Sequence, residues 1–372
     1  MPVFSSRAFN KHEQVVFCSD PITGLRAIIA VHSTVLGPAV GGCRFWNYAA
    51  PHRNASLEFA ERRTEEDAIF DVLRLSRGMS FKNAMAGLRL GGGKTVIIGD
   101  AQHDKTPELL RKFGEFLNRL GGSYYTAEDV GTSPKDMEQI RATTKYVVGL
   151  ESGEFATGDP SPHTAKGVFD GIKAAVRHRL KRNDVDGLTV SIQGVGHVGH
   201  DLANHLRAAG AKVVIADISK ENIERVLADG EAEVVDPAKI HAVEADVFAP
   251  CALGGVLNAK TIPEIQASVI AGAANNQLDD EVEDGKRLME RGILYAPDYV
   301  INAGGIISVE SEVHREHMDE EQRNAKIAAI ADTLTEVFEE AEREKMPTGR
   351  IANQLAERRI EAKRQERLAA AE

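Results

Sequence analysis

Short apolar stretches alternate with longer amphipathic stretches along the first 150 residues of the chain. Residues 24–31 and 95–98 are rich in aliphatic and β-branched side chains, which predicts two strands. Residues 66–77 and 107–120 carry apolar side chains at the spacing of one helix face, which predicts two helices. Strands that alternate with helices in this way are typical of an α/β domain.

A second alternating region begins after a break in composition. Residues 151–163 are rich in glycine, serine, proline and aspartate, which is typical of a loop or hinge. The pattern then predicts a helix over 165–179 and strands over 188–192 and 212–216, with an amphipathic helix between the strands that ends near Gly210. The chain therefore contains a second α/β region.

These breaks define the predicted domains. An N-terminal α/β domain covers residues 1–150, and a second α/β domain covers residues 151–345. From about Met318 the apolar residues have helical spacing, and we expect residues 346–372 to form a helix that returns to the first domain.

A glycine-rich segment lies between the strand over 188–192 and the helix after it. Its sequence is Gly194-Val195-Gly196-His197-Val198-Gly199, and Asp217 lies 18 positions after the last glycine. In a dinucleotide-binding domain the first glycine turns tightly, the second lets pyrophosphate approach the helix N-terminus, and the third packs helix on strand. Asp217 would accept a hydrogen bond from a ribose 2′-hydroxyl and repel a 2′-phosphate. The pattern predicts a Rossmann-type domain that binds NAD rather than NADP; the alternative is a glycine turn in an unrelated α/β unit.

The segment Gly91-Gly92-Gly93-Lys94 has two interpretations, a phosphate loop or a catalytic amine. A phosphate loop would need its first glycine at the position of Leu88, whereas the nearest glycine is Gly87. It would also lead into a helix, whereas residues 95–98 predict a strand that Lys94 opens. We therefore favour a catalytic role for the Lys94 amine over a phosphate loop of a nucleotide-hydrolysing enzyme.

Composition limits the class of protein. With 372 residues, 42% hydrophobic and 27% charged residues, the chain is typical of a soluble globular protein. A formal charge of −11 argues against nucleic acid or an anionic membrane as the main partner. The three cysteines have no paired spacing, and we find no membrane span or secretion signal, so we expect a cytoplasmic protein without a metal site.

Several motifs in one order resemble the amino acid dehydrogenases that include glutamate, leucine, phenylalanine and valine dehydrogenases. The similarity covers nearly the whole chain and is closest to the leucine dehydrogenases. The motifs are Gly37 to Gly42, Arg77 to Lys82, Gly91 to Lys94, Ala127 to Gly131, Gly158 to Pro162, the dinucleotide motif, Asn275 to Leu278 and Tyr295 to Gly305.

The resemblance implies a two-domain α/β fold, in which a substrate domain and a Rossmann-type NAD domain are separated by a cleft that closes for hydride transfer. The implied reaction is reversible oxidative deamination: NAD takes the α-hydride of an L-amino acid, and water attacks the imine to give a 2-oxo acid and ammonia. A homo-oligomer is also implied.

The resemblance also implies roles for individual residues. Lys82 pairs with the substrate α-carboxylate, and Lys94 is the catalytic amine. A lysine acts as a base only when it is neutral for part of the time, and Lys82 together with a closing cleft favours that form of Lys94. Asp129 shuttles protons between water and the amino group. The remaining positions implied at the substrate and the cofactor are Gly41, Gly42, Met79 and Asn276 for the substrate carboxylate region and Asn275 for NAD.

The side-chain pocket implied by the resemblance is apolar. Glutamate dehydrogenases have a lysine for the substrate's side-chain carboxylate at the position of Val40, and the other pocket positions are Ala127, Ile306 and Val309. Burial of an unpaired carboxylate there would cost several kcal/mol. Ala127 with Ile306 resembles the leucine enzymes, so leucine, valine and isoleucine are favoured, with phenylalanine as the alternative substrate.

One segment departs from the family pattern. Residues 50–63 look inserted relative to leucine dehydrogenases; they either line the cleft entrance or form a surface excursion at a subunit contact. A protein of another class, which kept the NAD domain for regulation and lost catalysis, would be expected to lack Lys94 or Asp129, and both are present.

Overall fold

The computed structural model describes residues 3–48 and 65–370, so the predicted insertion at residues 50–63 lies outside the described residues. The described chain forms two compact units. Unit 1 contains the chain up to residue 159, residues 309–317 and the chain from residue 359; unit 2 contains residues 160–308 and 318–358. The domain limits placed at residues 150 and 345 from composition remain predictions.

Unit 1 is built on a five-stranded mixed sheet in the order β1-β2-β4-β3-β5, in which β3 runs parallel to both β4 and β5. The first two strand pairs, β1 with β2 and β2 with β4, are antiparallel. The strands and the helices that follow them are β1 (Gln14–Asp20), β2 (Leu25–Ser33), β3 (Ala39–Trp46), α1 (Glu65–Met85), β4 (Gly91–Ile98), α2 (Pro107–Asn118), β5 (Tyr124–Glu128) and α3 (Pro134–Arg141).

Apolar side chains cover both faces of this sheet. Along β2 successive side chains point to opposite faces, so Ile29 belongs to a cluster with Phe113 of α2, and Ile28 belongs to a cluster with Leu73 of α1. The sheet is therefore enclosed between helices, as in other α/β domains.

Strand β4 begins at Gly91, so the prediction that Lys94 opens this strand is wrong. All three glycines lie within the sheet. Other segments of the same chain pass so close to them that a side chain would not fit. A Cβ atom on Gly92 would lie 2.0 Å from the backbone nitrogen of Ser80 on α1, and one on Gly93 would lie 2.5 Å from the ring of Tyr124. Lys94 is consequently held in the middle of a strand.

Unit 2 is built on a six-stranded parallel sheet in the order β8-β7-β6-β9-β10-β11. Counted from the first strand of the unit, this is the order 3-2-1-4-5-6 of dinucleotide-binding domains. The strands are β6 (Thr189–Gln193), β7 (Lys212–Ala216), β8 (Glu233–Val234), β9 (Val247–Pro250), β10 (Val269–Ile270) and β11 (Leu294–Tyr295). The predicted second α/β region, of Rossmann type, is confirmed.

Further helices follow in the rest of the described chain. In order they are α4 (Ser161–Leu180), α5 (His197–Ala208), α6 (Lys220–Asp229), α7 (Glu283–Glu290), α8 (Asp298–Ile301), α9 (Gly304–His314), α10 (Glu320–Glu344) and α11 (Thr348–Ala369). Helices α9 and α11 begin in unit 2 and end in unit 1. In the described part of the chain, no helix is both long and apolar enough to cross a membrane.

Candidate active site

Lys94 and Asp129 lie together in unit 1, at neighbouring positions of the parallel part of its sheet. Lys94 is on β4, and Asp129 directly follows β5, with β3 between these two strands. The Nζ atom of Lys94 is 3.0 Å from Oδ2 of Asp129. Only 8% of the lysine side chain and 20% of the aspartate side chain are exposed, so the ion pair is largely shielded from water. An amine and a carboxylate, the kinds of group that can exchange protons, therefore lie within hydrogen-bond distance.

Glycines of β3 make this approach possible. A Cβ atom on Gly42 would lie 2.6 Å from Cβ of Asp129 and 3.2 Å from Nζ of Lys94. One on Gly41 would lie 1.8 Å from the carbonyl oxygen of Gly93. The two glycines are predicted to let backbone approach a substrate carboxylate. The structure adds a reason within the chain itself, since any side chain would displace the Lys94–Asp129 ion pair or strand β4.

The carboxylate of Asp129 has a second cationic partner, Arg44 of β3. The Nε atom of Arg44 is 3.0 Å from the same oxygen, Oδ2, that Lys94 contacts. Burial would raise the pKa of the Asp129 carboxyl group, but the charges of Lys94 and Arg44 outweigh it, and its pKa is lowered. The backbone is fixed as well, because the amide of Asp129 donates to the hydroxyl of Thr132, which donates to the carbonyl of Cys43. Asp129 is therefore an ionised, positioned carboxylate.

Helix α1 brings two further predicted residues to this part of the sheet. A Cβ atom on Gly41 would lie 3.2 Å from Cγ of Met79, so Met79 packs beside β3. Lys82 is half-buried one helical turn further along α1, and residues three apart share a helix face. Met79 and Lys82 therefore belong to the same α1 face, next to the strand that carries Gly41 and Gly42.

The predicted pocket positions are shielded from solvent to different degrees. Val40 on β3 is fully buried, and Ala127 on β5 is half-buried. Of the two positions on α9, Val309 is buried and belongs to unit 1, whereas Ile306 is half-buried and belongs to unit 2.

In unit 2, the glycine segment joins β6 to α5 and meets the geometric needs of a dinucleotide loop. A Cβ atom on Gly199 would lie 2.0 Å from the carbonyl oxygen of Gly194, whereas one on Gly196 would meet no atom within 4 Å. Gly196 is the N-cap of α5 and supplies no side-chain cap. The first and third glycines are thus required by packing, and the second leaves open space at a helix N-terminus, where a pyrophosphate group fits. The other members of the loop are Val195 and Val198, which are buried and half-buried, and His197, which is exposed.

Asp217 follows β7 and contacts the same loop. Its Oδ2 atom accepts a hydrogen bond of 2.7 Å from the backbone nitrogen of Val195, and Oδ1 accepts one of 2.8 Å from the backbone nitrogen of Ser219. The carbonyl of Val195 accepts a hydrogen bond of 3.1 Å from Arg225 of α6. The predicted ribose partner is therefore also a support of the glycine loop.

Asn275 and Asn276 lie in the exposed segment after β10 in unit 2. Oδ1 of Asn275 accepts a hydrogen bond of 2.7 Å from Nδ2 of Asn302. Asn276 has a φ angle of 51°, a left-handed conformation that asparagine tolerates better than most residues. The left-handed backbone of Asn276 sets the direction of this segment. The side-chain amide of Asn275 is held by the hydrogen bond from Asn302.

The predicted residues thus fall into two groups. Unit 1 brings Lys94 and Asp129 together beside Gly41, Gly42 and Met79, and unit 2 assembles the glycine loop with Asp217. Several polar residues that the sequence analysis did not single out contact predicted site residues: Arg44 contacts Asp129, Arg225 contacts Val195, and Asn302 contacts Asn275. No local pattern around Arg44 in the sequence indicates its contact with Asp129. Among residues 3–48 and 65–370, no group of three or more histidine, cysteine, aspartate or glutamate side chains is arranged to hold a metal ion.

Comparison with known proteins gives consistent matches along the chain. A model of the Glu/Leu/Phe/Val dehydrogenase dimerisation domain matches residues 12–146, and a Glutamate/Leucine/Phenylalanine/Valine dehydrogenase model matches residues 215–367. A leucine dehydrogenase of Thermoactinomyces intermedius is 47% identical over 367 residues, which cover 99% of this chain and 96% of that protein. A phenylalanine dehydrogenase of Bacillus thermotolerans is 44% identical over 359 residues, which cover 95% of this chain and 90% of that protein.

A solved structure supports the same relationship. The crystal structure of L-tryptophan dehydrogenase from Nostoc punctiforme matches with a TM-score of 0.81 and 43% identity, covering 95% of this chain and 97% of that chain. The paired Lys94 and Asp129, the glycine loop of unit 2 and these matches lead to one conclusion: the chain belongs to the glutamate/leucine/phenylalanine/valine dehydrogenase family of amino acid dehydrogenases.

Proposed function

We propose that this protein catalyses the reversible, NAD-dependent oxidative deamination of an L-amino acid with an apolar side chain, with leucine, valine and isoleucine favoured. The observation that carries the proposal is the shielded pair of Lys94 and Asp129, 3.0 Å apart, in a chain of this family. The 47% identity with a leucine dehydrogenase supports the choice among apolar amino acids.

Each residue of the pair has a task in proton transfer. In deamination, the nicotinamide ring, when bound, accepts the α-hydride of the substrate. Lys94 takes a proton from the water that attacks the substrate imine, and Asp129 exchanges protons with the departing amino group. Lys82 holds the substrate α-carboxylate, assisted by Asn276, with Gly41, Gly42 and Met79 beside it. Shielding from water strengthens the interaction of Lys94 with Asp129 because the local dielectric constant is low.

The substrate preference rests on Val40, Ala127, Ile306 and Val309. None of these side chains offers a charge to a substrate carboxylate, which disfavours glutamate and aspartate. Discrimination between aliphatic side chains that differ by a methylene is worth only about 1 to 3 kcal/mol, so we expect a graded preference among leucine, valine and isoleucine.

The cofactor preference rests on Asp217, and Asn275 is the further residue proposed at the cofactor. The carboxylate of Asp217 lies at the end of β7 and holds the glycine loop through the amide of Val195. A fixed negative charge at this position repels a 2′-phosphate and accepts hydrogen bonds from a ribose diol. This arrangement supports NAD over NADP.

We also propose that the protein is a cytoplasmic homo-oligomer. The family model that matches residues 12–146 describes a dimerisation domain. Cys18, Cys43 and Cys251 are all free thiols, which fits a reducing compartment. Size-exclusion chromatography with light scattering measures the oligomeric state directly, and a monomer at micromolar concentration would contradict this part of the proposal.

The central experiment measures formation of reduced cofactor from a panel of L-amino acids at alkaline pH. We expect kcat/KM to be highest for the branched aliphatic amino acids, lower for phenylalanine and negligible for glutamate, and higher with NAD than with NADP. In Lys94→Ala we expect kcat to fall about 10²- to 10⁴-fold, the range of a general acid–base group. Retained activity in Lys94→Ala would contradict the mechanism, and a preference for phenylalanine would contradict only the substrate assignment.

A further inference from the structure

The carboxylate of Asp129 is held by two cations on one oxygen atom. Nζ of Lys94 and Nε of Arg44 are each 3.0 Å from Oδ2. In the described ranges 3–48 and 65–370, no group donates a hydrogen bond to the other oxygen, Oδ1. Asp129 therefore has one oxygen committed to the protein and one available to a reacting group.

Arg44 is itself fixed in place by a second carboxylate. Its NH1 atom is 2.9 Å from Oδ2 of Asp71 on α1, and that oxygen also accepts a hydrogen bond of 2.8 Å from the hydroxyl of Tyr48. Arg74 lies 3.3 Å from Oδ1 of Asp71. The side chains of Arg44 and Asp71 are 18% and 13% exposed, so this is a shielded network and not a surface ion pair. The planar guanidinium group thereby connects Asp71 to Asp129 with fixed geometry.

We propose that Arg44 is a positioning residue for the proton-transfer step: it fixes the carboxylate of Asp129 and keeps it ionised while Lys94 has given up its proton. The inference rests on the proposed function, in which Lys94 acts as the base. When Lys94 becomes neutral, Asp129 loses the charge of one of its two cations. Arginine does not lose its proton in proteins, so of the two cations that contact Asp129, Arg44 is the permanent one.

The network explains why an arginine is needed at position 44. A lysine has one ammonium group and cannot reach two carboxylates with fixed donors on separate nitrogen atoms. Glutamine keeps a donor but removes the charge. The two substitutions therefore separate the effect of the charge from the effect of the geometry. A purely structural role of Arg44 would not produce this difference between the two variants.

The test measures kcat, KM and the pH profile of kcat/KM for Arg44→Gln and Arg44→Lys. Loss of a fixed positive charge beside the pair raises the proton affinity of the groups that titrate there, so in Arg44→Gln we expect the profile to move to higher pH by at least about half a unit. We also expect kcat to fall at least about 10-fold with KM for the amino acid changed less than about 3-fold, because Lys82 still binds the substrate carboxylate. In Arg44→Lys we expect the parental pH profile with a kcat lowered at least about 3-fold.

Arg111→Gln is the matched control. Its side chain is 45% exposed, and it contacts Glu108 and Gln139 but neither Asp71 nor Asp129, so we expect parental kcat and pH profile. A parental pH profile in Arg44→Gln, or a parental kcat in Arg44→Lys, would overturn the proposal. If Arg44→Gln does not fold, the kcat of Arg44→Lys still decides. Failure of the proposed function is distinguishable, because in that case the parent protein forms no reduced cofactor from the amino acid panel, or Lys94→Ala retains the activity.

Discussion

At the scale of single residues, the absence of a side chain at position 42 decides how closely Lys94 and Asp129 approach each other. Gly42 pairs with Ala127 of β5 along the parallel sheet, and Asp129 follows two residues after Ala127. The space that a Cβ atom on Gly42 would occupy is shared by Asp129 and Lys94. A glycine is therefore required by the close approach of Lys94 and Asp129 itself, in addition to any contact with substrate.

We expect Gly42→Ala to lower both activity and stability. The added methyl group would lie 2.6 Å from Cβ of Asp129, so the carboxylate must move out of line with Lys94. Overpacking of this kind costs about 1–3 kcal/mol. The control is Gly78→Ala on α1, where a Cβ atom meets no atom within 4 Å and helix propensity favours alanine by about 1 kcal/mol. Steady-state kinetics and thermal unfolding measure both variants, and equal melting temperatures would contradict this account.

Sequence alone identifies Lys94 and Asp129 as candidates because they lie within motifs, but it does not identify Arg44. An arginine two residues after a glycine pair has no local signal that distinguishes a surface residue from a buried one. Its partners, Asp71 and Asp129, are 27 and 85 positions away along the chain. Only the folded sheet, with α1 packed against it, shows that Arg44 contacts both.

At the scale of elements, the β6–loop–α5 segment shows how one motif combines packing and ligand binding. The carbonyl of Gly194 occupies the space beside Gly199, which brings α5 close to β6, while the space beside Gly196 is open. The amide and carbonyl of Val195 are held by Asp217 and Arg225. The loop is therefore supported by the protein before any ligand arrives, which lowers the entropy cost of binding.

Alanine substitutions in this loop separate its two functions. We expect Gly199→Ala to lower the melting temperature, because its Cβ atom would lie 2.0 Å from the carbonyl oxygen of Gly194. We expect Gly196→Ala to leave the melting temperature of the ligand-free protein unchanged and to raise Kd for NADH at least about 10-fold, because the methyl group occupies space where the pyrophosphate backbone contact forms. Fluorescence titration with NADH and thermal unfolding measure these effects. Undiminished NADH affinity in Gly196→Ala would contradict the assignment of this loop to the cofactor.

Element boundaries were predicted less well than element types. The strand over 212–216 has the predicted bounds, but β4 begins at Gly91, four residues before the strand predicted over 95–98. Glycine is depleted in strands, and the three glycines before Lys94 lie outside the strand predicted over 95–98. In the folded protein their lack of side chains serves close packing against Ser80 and Tyr124, a reason that depends on residues distant along the chain.

At the scale of the whole molecule, the predicted α/β class and the family are confirmed, but the assignment of residues 309–317 to unit 1 was not foreseen. Two buried glutamates of α9 explain it. Glu310 accepts a hydrogen bond of 2.7 Å from the amide of Arg89, and Glu312 accepts bonds from the amides of Gly149 and Thr157 at 2.9 and 3.1 Å. Each partner lies more than 150 positions away, so helical periodicity carries no information about these contacts.

The stability of the whole molecule also depends on pH through two buried histidines of unit 1, His12 and His32, whose ring centroids are 4.9 Å apart. Burial lowers the pKa of His32 to about 3, with the charges of His12 and Arg77 adding to the effect, and burial lowers the pKa of His12 as well. Below the ordinary histidine pKa of about 6.5, the unfolded chain binds more protons at these positions than the folded protein does. The free energy of unfolding therefore falls as the pH decreases from about 6.5, by up to about 1.4 kcal/mol per pH unit for each histidine.

The variant His32→Asn tests this dependence. Asparagine removes the titration and can still hydrogen-bond Ser80, whose Oγ atom is 2.8 Å from Nδ1 of His32. We expect the variant to be less stable than the parent at pH 8 but to lose less stability between pH 7 and pH 5, by about 1 to 2 kcal/mol. Urea unfolding at a fixed protein concentration gives the change of the unfolding free energy with pH for the variant and for the parent. His103→Asn is the matched control because the side chain of His103 is 76% exposed. If the unfolding free energies of His32→Asn and the parent change equally with pH, His32 does not contribute to acid destabilisation. A smaller change in His32→Asn, but not in His103→Asn, assigns the effect to protonation of His32 in the unfolded chain.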